Sequence, residues 1–299
     1  MGKIFNLSRL TEEYLQLKKV RLIAALALVV AIILSGSGVA VAALANRGVG
    51  VGLMLGGLIL AVIAVAVIIT VANKIKNHIR ETLIEGSAKR VLEGVDYKAD
   101  GCVCFDTVKT ADMDFDFEYD SIVGCDLVTG SYNGKKVEMS ELRLVTVKTD
   151  SDGEGGEVRK EKGEFKGIWC TVDFGAEFPC ELMVKERSNK FSKLAAKVFG
   201  SSKSIATDNK EFNASFITSS DDDESALKLL SEGFVKAVLD FEKEVAGGVY
   251  LRISRSGKLH IAVETSKPLF KMEGKLPLEE LSDRFADTVF AFMHLTDRI

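Results

Sequence analysis

Two apolar runs stand near the start of the chain, at residues 22–45 and 49–72, and neither contains a charged residue. About 20 apolar residues at 1.5 Å rise cross a 30 Å hydrocarbon core, so each run predicts a membrane-spanning helix. Buried helices of soluble proteins keep a polar face, and these runs have none. Only Asn46, Arg47 and Gly48 separate them. So short a connection predicts a tight antiparallel hairpin over 22–72, with both flanks on one side. Ahead of it, Leu7, Leu10, Tyr14 and Leu17 recur at three- and four-residue steps. That spacing predicts an amphipathic helix within residues 1–21. Residues 73–100 continue as a juxtamembrane helix, ending near Gly94, and a linker.

From residue 101 onward the pattern changes. Val103 and Phe105 alternate with Cys102 and Cys104. Met113, Phe115, Phe117 and Tyr119 alternate with Asp112, Asp114, Asp116, Glu118 and Asp120. Residues 142–148, 167–174 and 181–185 complete a strand-rich stretch, since a period of two marks strands with one wet face. Asn133-Gly134 is a hairpin turn signal. The last third mixes periods. Residues 212–218 predict a strand. The acidic stretch 220–224 opens a helix whose stripe is Leu227, Leu230, Phe234, Val238, Phe241 and Val245. Residues 249–255 and 258–264 form a hairpin across Ser256-Gly257. A final helix starts at Pro277 with Leu278, Leu281, Phe285, Val289 and Phe292 inward. The fold class is α+β: a two-helix transmembrane hairpin, then a mostly antiparallel, strand-rich domain over 101–299 with amphipathic helices.

Charge gives the hairpin a direction. Residues 1–80 hold nine Lys/Arg against two Asp/Glu, and the remainder holds thirty against forty-one. Lys18, Lys19 and Arg21 precede the first run; Lys74, Lys76 and Arg80 follow the second; the turn holds Arg47 alone. Basic flanks stay cytoplasmic, so both termini are expected in the cytoplasm of a two-pass plasma-membrane protein. Ala40-Val41-Ala42 resembles a signal-peptide cleavage site, but the long leader with Glu12 and Glu13 opposes that reading. The start Met1-Gly2 lacks the Ser or Thr that a myristoylation signal needs at position 6, where Asn6 stands. An acidic domain offers no basic face to nucleic acid. Small residues at four-residue spacing (Ala31 and Ser35, Gly36 and Ala40, Gly52 and Gly56) let helices approach closely, within the hairpin or between copies.

Chemistry is sparse. Five Cys at irregular spacing make neither a disulfide framework nor a zinc quartet. Of three His, none has a nucleophile motif nearby. Asp150, Asp152, Glu154, Gly155 and Glu161 fit five calcium-loop positions, although strands are expected to flank them and Glu157 takes an apolar position. Asp150, Asp152, Glu154 and Glu161 are thus the metal candidates, against the simpler reading of a solvated hairpin loop. The sequence calls for no cofactor and supplies no catalytic set.

A resemblance adds to this. Two N-terminal membrane helices precede Asp126-Leu127-Val128-Thr129-Gly130 and Phe165-Lys166-Gly167-Ile168-Trp169. After these come residues 212–220, Leu229-Leu230, Val249-Tyr250-Leu251 and Leu259-His260-Ile261-Ala262-Val263. That order resembles an uncharacterised bacterial membrane-protein family, domain of unknown function 3137, from about residue 20 to residue 272. The chain departs where Ser231-Glu232-Gly233 replaces an expected Thr-Pro. The resemblance implies membrane anchorage and a shared fold, and brings no catalytic residues. The expected function is a membrane-anchored binding or scaffolding module. Its expected partners are the lipid bilayer and a membrane-associated protein or a second copy of itself. The rival is a membrane-tethered hydrolase or divalent-metal enzyme.

Overall fold

The computed structural model describes residues 7–44, 47–151, 157–187, 204–245, 247–270 and 276–299. It divides into two compact units, Met1–Leu83 and Ile84–Ile299.

In the first unit, helix α1 (Leu7–Leu44) is continuous. The amphipathic segment and the first apolar run, expected as separate helices, are parts of it. Nothing between them breaks a helix: no Pro or Gly stands between Leu7 and Ser35. Helix α2 (Arg47–Lys74) begins at Arg47, so Arg47 and Gly48 are helical rather than connecting residues. A π-helical turn (Ile75–Ile79) leads into α3 (Arg80–Ala88). Both α1 and α2 are long and apolar enough to cross a membrane. They pair along a seam of small residues. A Cβ added to Gly50 would lie 2.4 Å from the Ala42 Cα, and one on Gly57 would lie 2.8 Å from the Ala31 carbonyl oxygen. Gly36, Gly52 and Gly56 have open space instead. Of the small-residue pairs noted in the sequence, Ala31 and Ser35 therefore lie at the seam, while Gly52 and Gly56 do not. His78 Nε2 lies 3.7 Å from Glu13 Oε2, which brings the two flanks of the hairpin to the same end.

The second unit is built on one eight-stranded antiparallel sheet. Its strands are β1 (Glu93–Lys98), β2 (Ser121–Tyr132), β3 (Lys135–Ser151) and β4 (Glu157–Asp173), then β5 (Leu182–Glu186), β6 (Phe216–Ser220), β7 (Gly248–Ser254) and β8 (Lys258–Glu264). The spatial order is β1-β2-β3-β4-β8-β7-β5-β6. Asn133 (φ 49°) and Gly134 (φ 79°) make the two-residue turn between β2 and β3 that their sequence signals. Beyond Val145, β3 and β4 pair with each other alone among the described residues, from Thr146↔Lys162 to Ser151↔Glu157.

Both faces of the sheet are covered. On the first, Leu142, Leu144, Phe165, Trp169, Tyr250 and Ala262 meet Val103, Val108, Ala111 and Met113. This cover contradicts two expected strands. Residues 102–105 lead into a short helix, α4 (Phe105–Ala111), and residues 112–120 pair with no ladder. Asp112 (φ 43°) and Asp114 (φ 48°) are left-handed, a conformation Asp tolerates but a strand cannot hold. The period of two survives all the same. Met113 is buried, Phe115, Phe117 and Tyr119 are half-buried, and every acidic residue between them is exposed. On the second face, Val137, Met139, Cys170, Val172, Leu251 and Ile261 are fully buried. Helices α7 (Glu232–Val245) and α8 (Leu278–Thr296) bury apolar stripes and meet through Phe241 and Phe292 at 5.0 Å.

Two further boundaries differ from the sequence reading. Residues Lys210–Ser215 form a helix, α5, capped by the Asn209 side chain, and the strand begins only at Phe216. The expected single helix through 225–245 is two, α6 (Asp223–Leu229) and α7. Ser231 makes the break, because its hydroxyl accepts from the Phe234 amide at 3.2 Å and starts a new helix.

Candidate functional site

The β3–β4 ladder carries one irregularity. Leu144 pairs with Phe165 and Val145 with Gly163, so Glu164 is an extra, bulged residue. Bulges re-aim side chains and recur beside functional sites. Next to this one, Arg143 stands directly opposite Lys166. Like charges directly across a ladder destabilise it. Neither side chain has an ion pair or a hydrogen bond among the described residues. An open groove of about 550 Å³ lies over them, lined also by Gly163, Glu164, Phe165, Glu264, Thr265 and Ser266.

The groove's far wall is fixed by backbone bonds. The Thr265 amide donates to the Lys166 carbonyl at 3.0 Å, and the Thr265 hydroxyl accepts from the Lys267 amide at 3.1 Å. That hydroxyl keeps its own proton to donate. Glu264 accepts from the Tyr250 hydroxyl at 3.4 Å. Burial, with Glu264 and Asp116 nearby, pushes the Tyr250 hydroxyl well up, so it remains a donor. The site therefore presents hydroxyl donors and two cations, beside the carboxylates of Glu164 and Glu264, in an open groove. That arrangement binds and orients; among the described residues neither the Thr265 nor the Ser266 hydroxyl of the groove is hydrogen-bonded to a carboxylate or an imidazole.

A second cluster sits at the bulge in β2. Asp126 (φ 60°) is fully buried, and its carboxylate accepts from the Tyr97 hydroxyl and the Cys125 thiol. Cys125 pairs across the ladder with Glu141, which accepts from the Leu269 amide at 3.3 Å. Ligand atoms of Cys125, Asp126 and Glu141 lie within 4.8 Å of one another. One thiolate and two carboxylates suit a borderline divalent cation. Those carboxylates already have protein donors, which is what a core carboxylate needs without any ion.

The sequence-derived metal candidates are not brought together by any described contact. Asp152 and Glu154 lie outside the described residues. Asp150 and Glu161 sit on β3 and β4, where they pair with Val158 and Val147. Strands flank that segment, as expected, rather than the two helices of a calcium hand. The histidines are also placed. His260 is buried in β8, and its Nδ1 lies 3.1 Å from the Thr171 hydroxyl, which accepts from the Trp169 indole at 3.1 Å. Burial, aided by Lys258 and Arg252, lowers the His260 pKa to about 4, so it is neutral at pH 7. Thr171 is nearly buried as well, which closes this hydroxyl–imidazole pair to any substrate. Burial pushes up the thiols of Cys102 and Cys170, so neither is an activated nucleophile.

The sequence reading missed the groove. Its signal was Lys166 inside the Phe165–Trp169 motif, but the partner at Arg143 becomes visible only with the strand register.

No curated protein matches the chain. Among solved structures, the crystal structure of the mycobacterial trehalose monomycolate transport factor A, TtfA, is similar at a TM-score of 0.39 and 10% identity. The match covers 74% of this chain and 96% of that one. A likeness that weak says nothing of function. Residues 163–299, which begin at the groove's Gly163, match the family described as "Protein of unknown function (DUF3137)", the family whose motif order this sequence resembles.

Proposed function

We propose that the chain is a two-pass membrane protein with both termini in the cytoplasm, whose α+β unit is a binding or scaffolding module. The observation that carries this reading is how the two units treat apolar surface. Leu22, Ile23, Ile32 and Ile33 on α1, and Leu58, Ile59, Val62 and Ile63 on α2, are all more than half exposed. Water does not tolerate so much exposed hydrocarbon on one pair of helices, whereas lipid does. The other unit buries most of its large apolar side chains, with Val123, Leu227 and Phe290 the exposed ones among its described residues. Among its described residues no buried polar side-chain atom lacks a partner. It offers an open, charged groove instead of an enclosed reaction chamber. Tethering to the bilayer raises the effective concentration of such a module for membrane-associated proteins and for further copies of the chain.

Native Cys104 is exposed and reports the side on which the α+β unit lies. An impermeant thiol reagent added to intact cells should leave the wild-type chain unlabelled and should label an Asn46→Cys variant. Labelling of the wild type from outside overturns the topology. The binding role fails if the purified full chain turns over a small molecule and one polar substitution abolishes turnover while the fold stays intact.

A further inference from the structure

We infer that the Arg143–Lys166 groove is a binding site for a phosphate group. This deepens the binding-module reading and rests on it. Three independent features lead there. First, two cations face each other across the ladder, and among the described residues neither side chain makes an ion pair or a hydrogen bond, although Glu164 and Glu264 line the same groove. A fold keeps such a pair at a cost in stability, and a bound anion removes that cost. Second, the local backbone makes room for them. A Cβ at Gly163 would stand 3.3 Å from the Arg143 Nη2, so the guanidinium lies against a position that has no side chain. The bulge at Glu164 interrupts the regular ladder at the same place. Third, the wall supplies hydroxyl donors at Thr265 and Ser266, and the Thr265 proton is unspent.

The donor set selects the ligand class. A guanidinium fork and an ammonium recognise oxyanions, the first by geometry and the second as a point charge. With the two hydroxyls, the wall offers more donors than the two oxygens of a carboxylate can accept. A phosphate monoester presents three free oxygens. Glu264 and Glu164 on the same wall disfavour a ligand carrying several negative groups, so a single phosphate fits best. The groove is open to solvent, so both a soluble phosphate compound and a lipid phosphate can enter it.

The test uses the full-length chain in nanodiscs of phosphatidylcholine, with radiolabelled inorganic phosphate as the probe in equilibrium dialysis. Uptake should be saturable. Arg143→Gln and Lys166→Gln should each weaken it about tenfold or more, the loss expected for a charge-assisted hydrogen bond. Lys136→Gln, which removes an exposed lysine elsewhere on β3, should leave it unchanged. The melting temperature of Lys166→Gln should stay level or rise, because a repulsive pair is relieved. A purely structural lysine would give the opposite pattern: a lower melting temperature with unchanged phosphate uptake. That result overturns the site. So does an absence of saturable uptake, or equal weakening by Lys136→Gln, since either reduces the groove to general surface charge. Repeating the dialysis in nanodiscs containing phosphatidic acid separates the sources. Weaker uptake by the wild type there assigns the site to a lipid headgroup, and unchanged uptake assigns it to a soluble phosphate. Failure of phosphate binding leaves the labelling result intact, so the topology and the ligand stand or fall separately.

Discussion

In the N-terminal unit Leu26, Ile33, Ile59 and Val62 stand more than half exposed, while in the C-terminal unit Trp169, Phe234, Phe292 and Ile261 are fully covered. On the proposed membrane placement, the same residue classes serve opposite solvents. The devices that join helices differ accordingly. Helices α1 and α2 meet through small residues that let backbones touch, the device suited to a hydrocarbon surrounding, where burying more apolar surface gains little. Where water surrounds the fold, large side chains interdigitate and their removal leaves a hole. Each unit can be attacked by a substitution that should be harmless in the other.

The largest effect is expected at Phe234. Its side chain is fully buried on α7. Phe234→Ala should cost about 3–5 kcal/mol of the α+β unit's stability. Trp169, the only tryptophan and itself buried, reports unfolding by fluorescence in the full chain held in micelles. Leu26→Ala, on an exposed position of α1, should leave that transition unmoved. A loss under about 1 kcal/mol at Phe234 would mean that the stripe of α7 carries no packing load.

The second test is acid. In the fold His260 has a pKa of about 4, against 6.5 when unfolded. Between these values the unfolded chain binds a proton that the folded chain refuses. Stability is therefore complete above pH 6.5 and declines as pH falls towards 4, by about 3 kcal/mol in all. The positive charges facing this imidazole, Lys258 and Arg252, act in the same direction as burial. Denaturant titrations of the full chain at pH 7 and pH 4.5, read at Trp169, should show a smaller gap in His260→Gln than in wild type. Equal gaps would assign the acid sensitivity to other groups.

These residues also show what a sequence can hold. The α+β class, the Asn133-Gly134 turn and the stripe of the last helix were all legible, because each is written in neighbours a few residues apart. The acidic row 112–120 was legible as a pattern and misleading as an element. Its exposure alternates, yet left-handed Asp112 and Asp114 prevent a ladder. The break at Ser231 was hidden inside an apolar stripe that runs on across it. The groove was not legible at all. Arg143, Lys166 and Thr265 are far apart in sequence and meet only through strand register and a one-residue bulge. The same holds for Cys125, Asp126 and Glu141, which a second bulge gathers.

The small-residue seam offers a test within the N-terminal unit. Gly50→Val must push its side chain into the Ala42 backbone, at distances no Cβ tolerates. Overpacking of this kind costs typically about 1–3 kcal/mol. Gly52→Val meets open space and carries no such cost. Thermal unfolding followed by circular dichroism in micelles should separate the two variants, with Gly50→Val melting lower. Equal melting would show that α1 and α2 do not depend on close backbone approach, and the contrast between the units would lose its first half.

The smallest expected effect is a cap, and it sharpens the comparison most finely. Helix α1 runs for 38 residues with no internal break. In the α+β unit a comparable apolar stripe is cut in two at Ser231. Its hydroxyl accepts from the Phe234 amide and its carbonyl accepts from the Val235 amide at 2.9 Å. A helix start leaves amide donors without intrahelical partners, and a side-chain oxygen at the cap satisfies one of them. Ser231→Ala removes that oxygen and should cost about 1 kcal/mol. Ser231→Asp keeps an acceptor and adds a negative charge at the positive end of the helix, so it should match wild type or exceed it. Both are read as shifts of the Trp169 denaturation midpoint at constant slope. If Ala and Asp fall together, the break is set by the packing of Leu230 and Phe234 and not by the cap.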